Sequence, residues 1–454
     1  KPPMTEATQS IKNAPGESLL GTTAKSSLRH GSEEGQRKAH RALKYQALSQ
    51  GRQWLVRQAK AENPDAMPGD VYRTADCRYV NHSAIGVNIS PAHKAAHYSG
   101  LVTCGSIWPC PVCASRIQER RRPEVQQAID WAKGQGYQVV MVTFTFPHKS
   151  WQSLGDLLAR QADAFKRLRK GRPWDTMKAD RGFKGLIRSL EVTHGANGWH
   201  PHTHELWFLK GSSEGLQSLL AKLWVSACAK AGLIAVNDEK LVEAFMEHGV
   251  DVKVDVDCGD YLAKQDDSRR WGFAEELSKA TSKAGRAKGV HPHHFLVRKA
   301  PGDRERYIEY VQAMKGRRQL FWSNGLKAKV GVHEVSDEVL ADESQEAAEL
   351  LGMLTPEDWK VVRGNDARAE LLDAAEDGGW PAIQLLLMAL RIYGSKAKVA
   401  QGAPSCLSGK PENARIPATN DDGDSLSIFL GKLVEFSQGN RRTIAEPGLH
   451  QILT

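Results

Sequence analysis

No run of 18 apolar residues occurs anywhere in the 454-residue chain, so the sequence offers no membrane-spanning helix. The first residues, "KPPMTEATQSIKNAPGES", lack the apolar core of a secretory signal, and the expected compartment is the cytoplasm. Internal repeats are absent. Cysteine is scarce: there are seven, an odd number with no disulfide-like framework, which in a reducing compartment points to metal ligands or free thiols. Hydrophobic residues make up 41%, a slightly lean content that fits a globular protein with disordered ends. The length predicts about two to three domains.

What the sequence has is uneven charge. The net is +9, but residues 331–454 carry 11 basic against 20 acidic side chains, whereas the preceding 330 residues carry 51 against 33. A basic body with an acidic tail fits a polyanionic partner, most simply nucleic acid.

Composition and periodicity divide the chain into five segments. Residues 1–60 read as a disordered stretch followed by a basic helix from about 35, and 61–124 as a Cys-bearing, loop-rich module ending in "RIQERRR". Residues 125–330 hold the clearest mixed pattern, 331–400 read as acidic helices, and 401–454 as linker and tail. Within the central segment "QVVMVTFTF" (138–146) is a buried strand. A helix follows over 153–170 with Ser153 as N-cap. Two strands (183–194 and 202–209) flank the hairpin signal "GANG". A helix closed by Gly232 and the alternating "GVDVKVDV" (249–256) complete the order β-α-β-β-α-β. That order predicts an α+β fold: an antiparallel sheet with helices on one face, in a ferredoxin-like split βαβ arrangement.

Two clusters carry chemistry. In "CGSIWPCPVC", the spacing of Cys110 and Cys113 lets two thiolates meet one tetrahedral ion, and Cys104 is close enough to join. The fourth ligand expected is Cys77, with His97 and His93 in reserve. Four soft or borderline ligands leave no open position, which makes zinc here structural. Cys228 reads as core; Cys258 and Cys406 are isolated.

The second cluster is "NGWHPHTHELWFL". On a strand, His202 and His204 point the same way. The hairpin lays "SLEVT" alongside, where Glu191 is the carboxylate best placed to complete a site with open positions for Mg²⁺, Mn²⁺ or zinc acting on a phosphate. His200 shares the face but sits at the turn. The other histidine group, His291, His293 and His294, follows a basic loop rather than a carboxylate-bearing strand and reads as a decoy. Downstream, "DVDCGDYLAKQ" places Tyr261 and Lys264 one helical turn apart. A phenol with an unperturbed pKa of about 10 needs a polarised phosphate and a nearby ammonium to act as nucleophile.

In this order, "VVMVTFTF", "EVTHGANGWHPHTHELWFL" and "YLAK" resemble the signature of plasmid rolling-circle replication initiators. These are Rep proteins of the HUH endonuclease superfamily, and the match is to the single-tyrosine branch with a Cys-rich N-terminal element, over about 77–326. Thr203 stands where the family's central residue is bulky and apolar. The resemblance implies the HUH endonuclease fold, with His202, His204 and Glu191 binding a divalent cation (Mn²⁺ or Mg²⁺). It implies that Tyr261 attacks a phosphate of single-stranded DNA at the origin, assisted by Lys264. It places a water-activating carboxylate four residues before the tyrosine, at Asp257, with Asp260 the alternative.

"WSNGL" belongs to the same pattern, so Tyr307 and Tyr310 are read as helix packing. Arg116, Arg120, Arg121 and Arg122 form a phosphate-contacting patch, and the basic 275–289 and 315–318 stretches serve equally. Partners implied are origin DNA and host replication proteins such as a helicase, with no membrane. The alternatives are an HUH transposase, a relaxase, or a zinc-containing DNA-binding regulator without catalysis.

Overall fold

The run "QVVMVTF" is a strand because its β-branched and aromatic residues pack on both sides of a sheet. Val140, Val142 and Phe144 face one core cluster, while Val139 and Met141 face another. In the computed structural model it is the second strand of five. The structure describes residues 33–92, 94–235, 237–254, 289–342 and 348–401.

The described residues begin with the long helix α1 (Glu33–Glu62), a one-turn helix α2 (Pro68–Val71) and the hairpin β1 (Asn81–Ser90) and β2 (Ala95–Leu101). Helix α3 (Pro111–Gly134) leads into β3 (Gln138–Phe144). Next come α4 (Leu154–Leu168), α5 (Arg172–Asp180), β4 (Phe183–Gly195), β5 (Gly198–Leu209), α6 (Leu216–Lys230), α7 (Glu239–His248) and β6 (Val250–Val254). After residue 288 follow α8 (His294–Arg298), α9 (Asp303–Met314), β7 (Leu320–Trp322), α10 (Leu326–Val330) and α11 (Asp337–Ala341). The last elements among the described residues are β8 (Glu349–Leu354), α12 (Pro356–Asn365) and α13 (Arg368–Gln401), the last broken at Gly378–Gly379.

The main sheet has the order β6-β3-β5-β4-β7, antiparallel throughout. Its first four strands are the arrangement expected for a split βαβ unit, and β7 extends it on the β4 edge. The local signals act as their chemistry dictates. The Ser153 hydroxyl accepts the Asp156 amide at 3.2 Å and starts α4. Gly232, with a φ of 72°, ends α6 in the left-handed conformation as the Leu233 amide donates to the Cys228 carbonyl at 2.9 Å. In the β4–β5 hairpin Gly198 has a φ of 84°, and a Cβ there would lie 2.8 Å from the Ser150 Cα.

Two expectations are corrected. Helices cover both faces of the sheet, not one. Against one face lie α4 and α6, with Phe144 between Phe165 and Trp224 at centroid distances of 5.3 and 5.0 Å. Against the other lie Val125, Ala128, Ile129 and Ala132 of α3, packed on Met141, Ile187, Leu206 and Phe208. Helix α3 continues through Pro123, so the cysteine module and the sheet's second cover are one element.

Second, the acidic run after 334 is not all helix. Its "ELLGML" forms β8, paired antiparallel to β1 with Ile85 opposite Leu354. A short apolar run takes the structure of whatever partner it finds, and here that partner lies far back in the chain.

By its contacts the chain to Lys398 clusters as one compact unit. Arg41 of α1 bonds Asp373 and Glu376 of α13, and Trp359 Nε1 donates to the Tyr79 carbonyl at 3.0 Å. No helix among the described residues is long and apolar enough to cross a membrane.

On the α4 side of β5, Glu205 is fully buried. It accepts from the Arg169 guanidinium and, at 2.8 Å, from Trp207 Nε1. Glu205→Ala leaves that guanidinium facing the core without its carboxylate and is expected to cost about 3–5 kcal/mol in equilibrium denaturation. A loss below about 1 kcal/mol would show that water already screens the pair.

Candidate functional site

Strand β5 lies between β3 and β4, so each inward-facing side chain meets one neighbour on either side. Glu191 stands opposite His202, Ser189 opposite His204, and Thr143 opposite His204 from the other flank. The result is the grouping expected from sequence: one ligand atom each from Glu191, His202 and His204 lies within 4.8 Å of the others. His202 Nε2 is 3.1 Å and His204 Nε2 3.4 Å from Glu191 Oε2.

The other ring nitrogens are engaged. His204 Nδ1 is 3.0 Å from the Thr143 hydroxyl, and His202 Nδ1 is 3.4 Å from the His200 carbonyl. The contact at Nδ1 orients each ring so that Nε2 faces the Glu191 carboxylate, where it could bind a metal once its proton is lost. Burial alone would raise the Glu191 pKa; the hydrogen bonds from His202 and His204 outweigh it and hold the carboxyl well below its ordinary range. The carboxylate is 26% exposed and His204 7%, so the group opens to solvent on the Glu191 side. Two imidazoles and one carboxylate, partly open, can hold a divalent ion and still admit an oxygen ligand.

His200 does not join them. Its Nε2 is 2.7 Å from the Thr145 hydroxyl, and its ring stacks on His148 on one side and His202 on the other, each at 4.8 Å. Burial pushes its pKa down to about 3, with the neighbouring rings acting in the same direction, so it stays neutral. Sequence reasoning missed Thr143, Thr145 and His148. The signal was the alternation in "VTFTFPH", which puts both threonines on the histidine side of β3.

The decoy histidines are held by the fold. His293 Nε2 donates to the Trp108 carbonyl at 2.7 Å, and His291 Nδ1 accepts the His293 amide at 3.2 Å. Tyr307 and Tyr310 are fully buried, the Tyr307 hydroxyl donating to the Pro109 carbonyl at 2.8 Å, in keeping with a packing role.

The second cluster is buried. Cys77 precedes β1, Cys104 follows β2, and Cys110 caps α3 by accepting the Cys113 amide at 3.4 Å. Sγ–Sγ separations are 3.6 Å (Cys77–Cys113), 3.6 Å (Cys104–Cys113) and 3.7 Å (Cys77–Cys110). A disulfide would need about 2.05 Å. A tetrahedral ion with bonds of ~2.3 Å places its sulfurs ~3.8 Å apart, so the four fit one ion. The Ser106 amide at 3.4 Å and the Thr74 hydroxyl at 3.5 Å donate to Cys104, favouring a thiolate there. His97 is buried elsewhere, in β2 opposite Asn88. Cys228 lies in the core, where burial pushes its thiol pKa up.

Arg121 is committed within the chain, to Glu124, the Val335 carbonyl and Asp337, and Arg120 donates to the Leu340 and Asp342 carbonyls at 3.1 and 3.0 Å. Arg116 and Arg122 are half-buried. Asp257, Cys258, Asp260, Tyr261, Lys264, residues 275–288, His93 and Cys406 lie outside the described residues.

Residues 101–231 match the model of a family described as "Replication protein". The chain is 29% identical over 355 residues to "Protein rep" of Streptomyces lividans, covering 63% of this chain and 73% of that protein. It is 33% identical over 150 residues to "Neomycin resistance protein" of Streptomyces cyanogenus, covering 27% of this chain and 34% of that protein. No solved structure matches. These matches bear out the resemblance to replication initiators read from the motifs. The family segment contains Cys104, Cys110, Cys113, Glu191, His202 and His204 and ends before residue 257.

Proposed function

We propose that the chain, whose residues 101–231 match the model of a family described as "Replication protein", is a plasmid rolling-circle initiator that nicks single-stranded origin DNA. The observation that carries this reading is the convergence of His202 Nε2 and His204 Nε2 on Glu191, with both Nδ1 atoms already tied. Glu191, His202 and His204 would hold a divalent cation, Mn²⁺ or Mg²⁺, which when bound polarises a phosphate oxygen. Cys77, Cys104, Cys110 and Cys113 would hold a structural Zn²⁺.

The nucleophile is Tyr261. Its deprotonated Oη attacks the scissile phosphorus, and the P–O bond to the 3′ oxygen breaks. The 5′ phosphate stays on the tyrosine, and the released 3′ oxygen takes a proton to become a primer hydroxyl. Lys264 orients the phenolate or the phosphate. At termination Asp257, or Asp260, removes a proton from the attacking water. Chain length permits the attack. Val254 pairs with Val140, three residues along β3 from the His204 partner Thr143. The seven residues from there to Tyr261 span up to ~25 Å.

The test is a denaturing gel with a labelled origin oligonucleotide and Mn²⁺. Wild type should carry label as a covalent 5′-phosphotyrosyl adduct, and Tyr261→Phe should bind the oligonucleotide yet form none. If wild type forms no adduct across several divalent metals and origin sequences, the chain is a binder without this chemistry. The buried positions of Tyr307 and Tyr310 disfavour a two-tyrosine transposase, and the Thr145 bond to His200 disfavours a three-histidine relaxase centre.

A further inference from the structure

Between α9 and β7 the chain makes a turn, "KGRRQ" (315–319), that is held at several points. Gly316 takes a φ of 74°, in the left-handed region that suits glycine. The Arg317 amide donates to the Met314 carbonyl at 3.1 Å, and Arg317 Nε to the Ala313 carbonyl at 2.9 Å. Trp108 Nε1 donates to the Arg317 carbonyl at 2.7 Å. The Leu190 amide donates to the Gln319 carbonyl at 3.0 Å, next to the pairing of Leu320 with Ser189. Lys315 and Arg318 stand exposed on this turn, and neither they nor Arg317 make an ion pair among the described residues.

The turn forms one side of a cavity of about 860 Å³. Ile107 and Trp108, from the loop between Cys104 and Cys110, give it an apolar wall, and Leu320 and Trp322 of β7 give it another. Of the four carboxylates that line it, three are taken: Glu338 by Arg73 at 3.2 Å, Asp337 by Arg121 at 2.9 Å, and Glu334 by Lys327. Glu124, outside the lining, also pairs with Arg121 and Lys327. What remains in the lining is Lys315, Arg317 and Arg318 against Asp70. Lys315 and Arg318 act on Glu62 and Glu334 only through space.

We propose that this cavity seats the DNA single strand next to the nick, its phosphates held by Lys315 and Arg318. Leu320 and Trp322 pack on the core cluster that contains Leu206, two residues from His204, so the cavity and the Glu191–His202–His204 grouping share one face of the sheet. Leu320, Ser189 and His204 are register partners on three successive strands, which puts the cavity's edge ~10 Å from the grouping. Arg318 comes two residues before Leu320, in the direction that leads along β4 from Ser189 to Glu191, where the grouping opens to solvent. A turn that is rigid beforehand loses little freedom on binding, so its cations act at small entropic cost. The turn lies outside the 101–231 family segment. The identity of the bound strand rests on the DNA-nicking reading.

The test is fluorescence anisotropy of the full chain with a labelled single-stranded origin oligonucleotide, without added divalent metal, over a salt series. Arg318→Gln and Lys315→Gln should each weaken binding about five- to tenfold at low salt and flatten the slope of log K against log salt by about 0.7. Lys222→Gln, which removes an exposed cation from α6 on the opposite face of the sheet, should leave the slope unchanged. All three should melt as wild type does, because each loses an exposed charge that has no ion pair among the described residues. Wild-type slopes in Arg318→Gln and Lys315→Gln overturn the cavity as a DNA contact and leave the nicking reading standing. An equal loss in Lys222→Gln overturns it too, since net charge alone would then be at work. So does a loss seen with duplex DNA and not with the single strand, or a lowered melting temperature that accounts for the lost affinity. A wild-type chain that binds no DNA sinks the nicking reading itself, and the cavity's occupant with it.

Discussion

His204→Ala should reduce Mn²⁺-dependent cleavage of an origin oligonucleotide by about 10³-fold or more, because a metal acting on a phosphate oxygen supplies several kcal/mol and each 1.4 kcal/mol is a factor of ten. Glu191→Ala should do the same. The two together should cost little more than either alone, since each abolishes one shared site. Thr143→Val gives the graded control. It removes the hydroxyl that fixes His204 and leaves all three ligands, so metal affinity should fall about 10–100-fold while saturating Mn²⁺ restores cleavage. Metal titrations of cleavage rate separate these cases. Normal cleavage by Glu191→Ala would remove that residue from the ligand set, and normal cleavage by His204→Ala would dispose of the site altogether.

The second large effect is on folding. Cys110→Ser, or prolonged exposure of the protein to a chelator, should lower stability by about 5 kcal/mol or more. Binding free energies of structural zinc run to about 10–16 kcal/mol in small domains, and whole domains are stable by only about 5–15 kcal/mol. The cluster joins four separate points of the chain inside the main core, beside Trp108 and Tyr307. Elemental analysis should find one zinc per chain in wild type, lost in Cys110→Ser, and thermal melting should show the cooperative transition shifted or broadened. A chelated protein that melts like the untreated one would mean that the four thiols are merely packed.

The Glu191–His202–His204 grouping was legible because its causes are local. Period-two alternation aligns His202 with His204, and the hairpin register alone brings Glu191 opposite. Cys77 was legible by chemistry, since a four-ligand ion needed one more thiolate. What stayed hidden depends on partners distant in sequence. Nothing in "ELLGML" names β1 as its neighbour, and nothing in "RIQERRR" shows Arg121 committed to Asp337, 216 residues later. The second cover of the sheet was missed for the same reason: α3 was read by its cysteines, although its far half buries Val125, Ala128 and Ile129 against Leu206.

The pairing of Ile85 with Leu354 also sets a timetable. During synthesis the β1–β2 hairpin leaves the ribosome on the order of ten seconds or more before β8 does. A lone two-stranded hairpin is marginal, and until then β1 keeps a bare edge. The five-stranded sheet has all its described strands by residue 322, so it can close while that hairpin still waits. A nascent chain stalled before 349 would thus carry its candidate histidine and cysteine ligands in full while lacking the strand that pairs with β1. Quality control of such fragments would act on an open strand edge, not on a missing catalytic group.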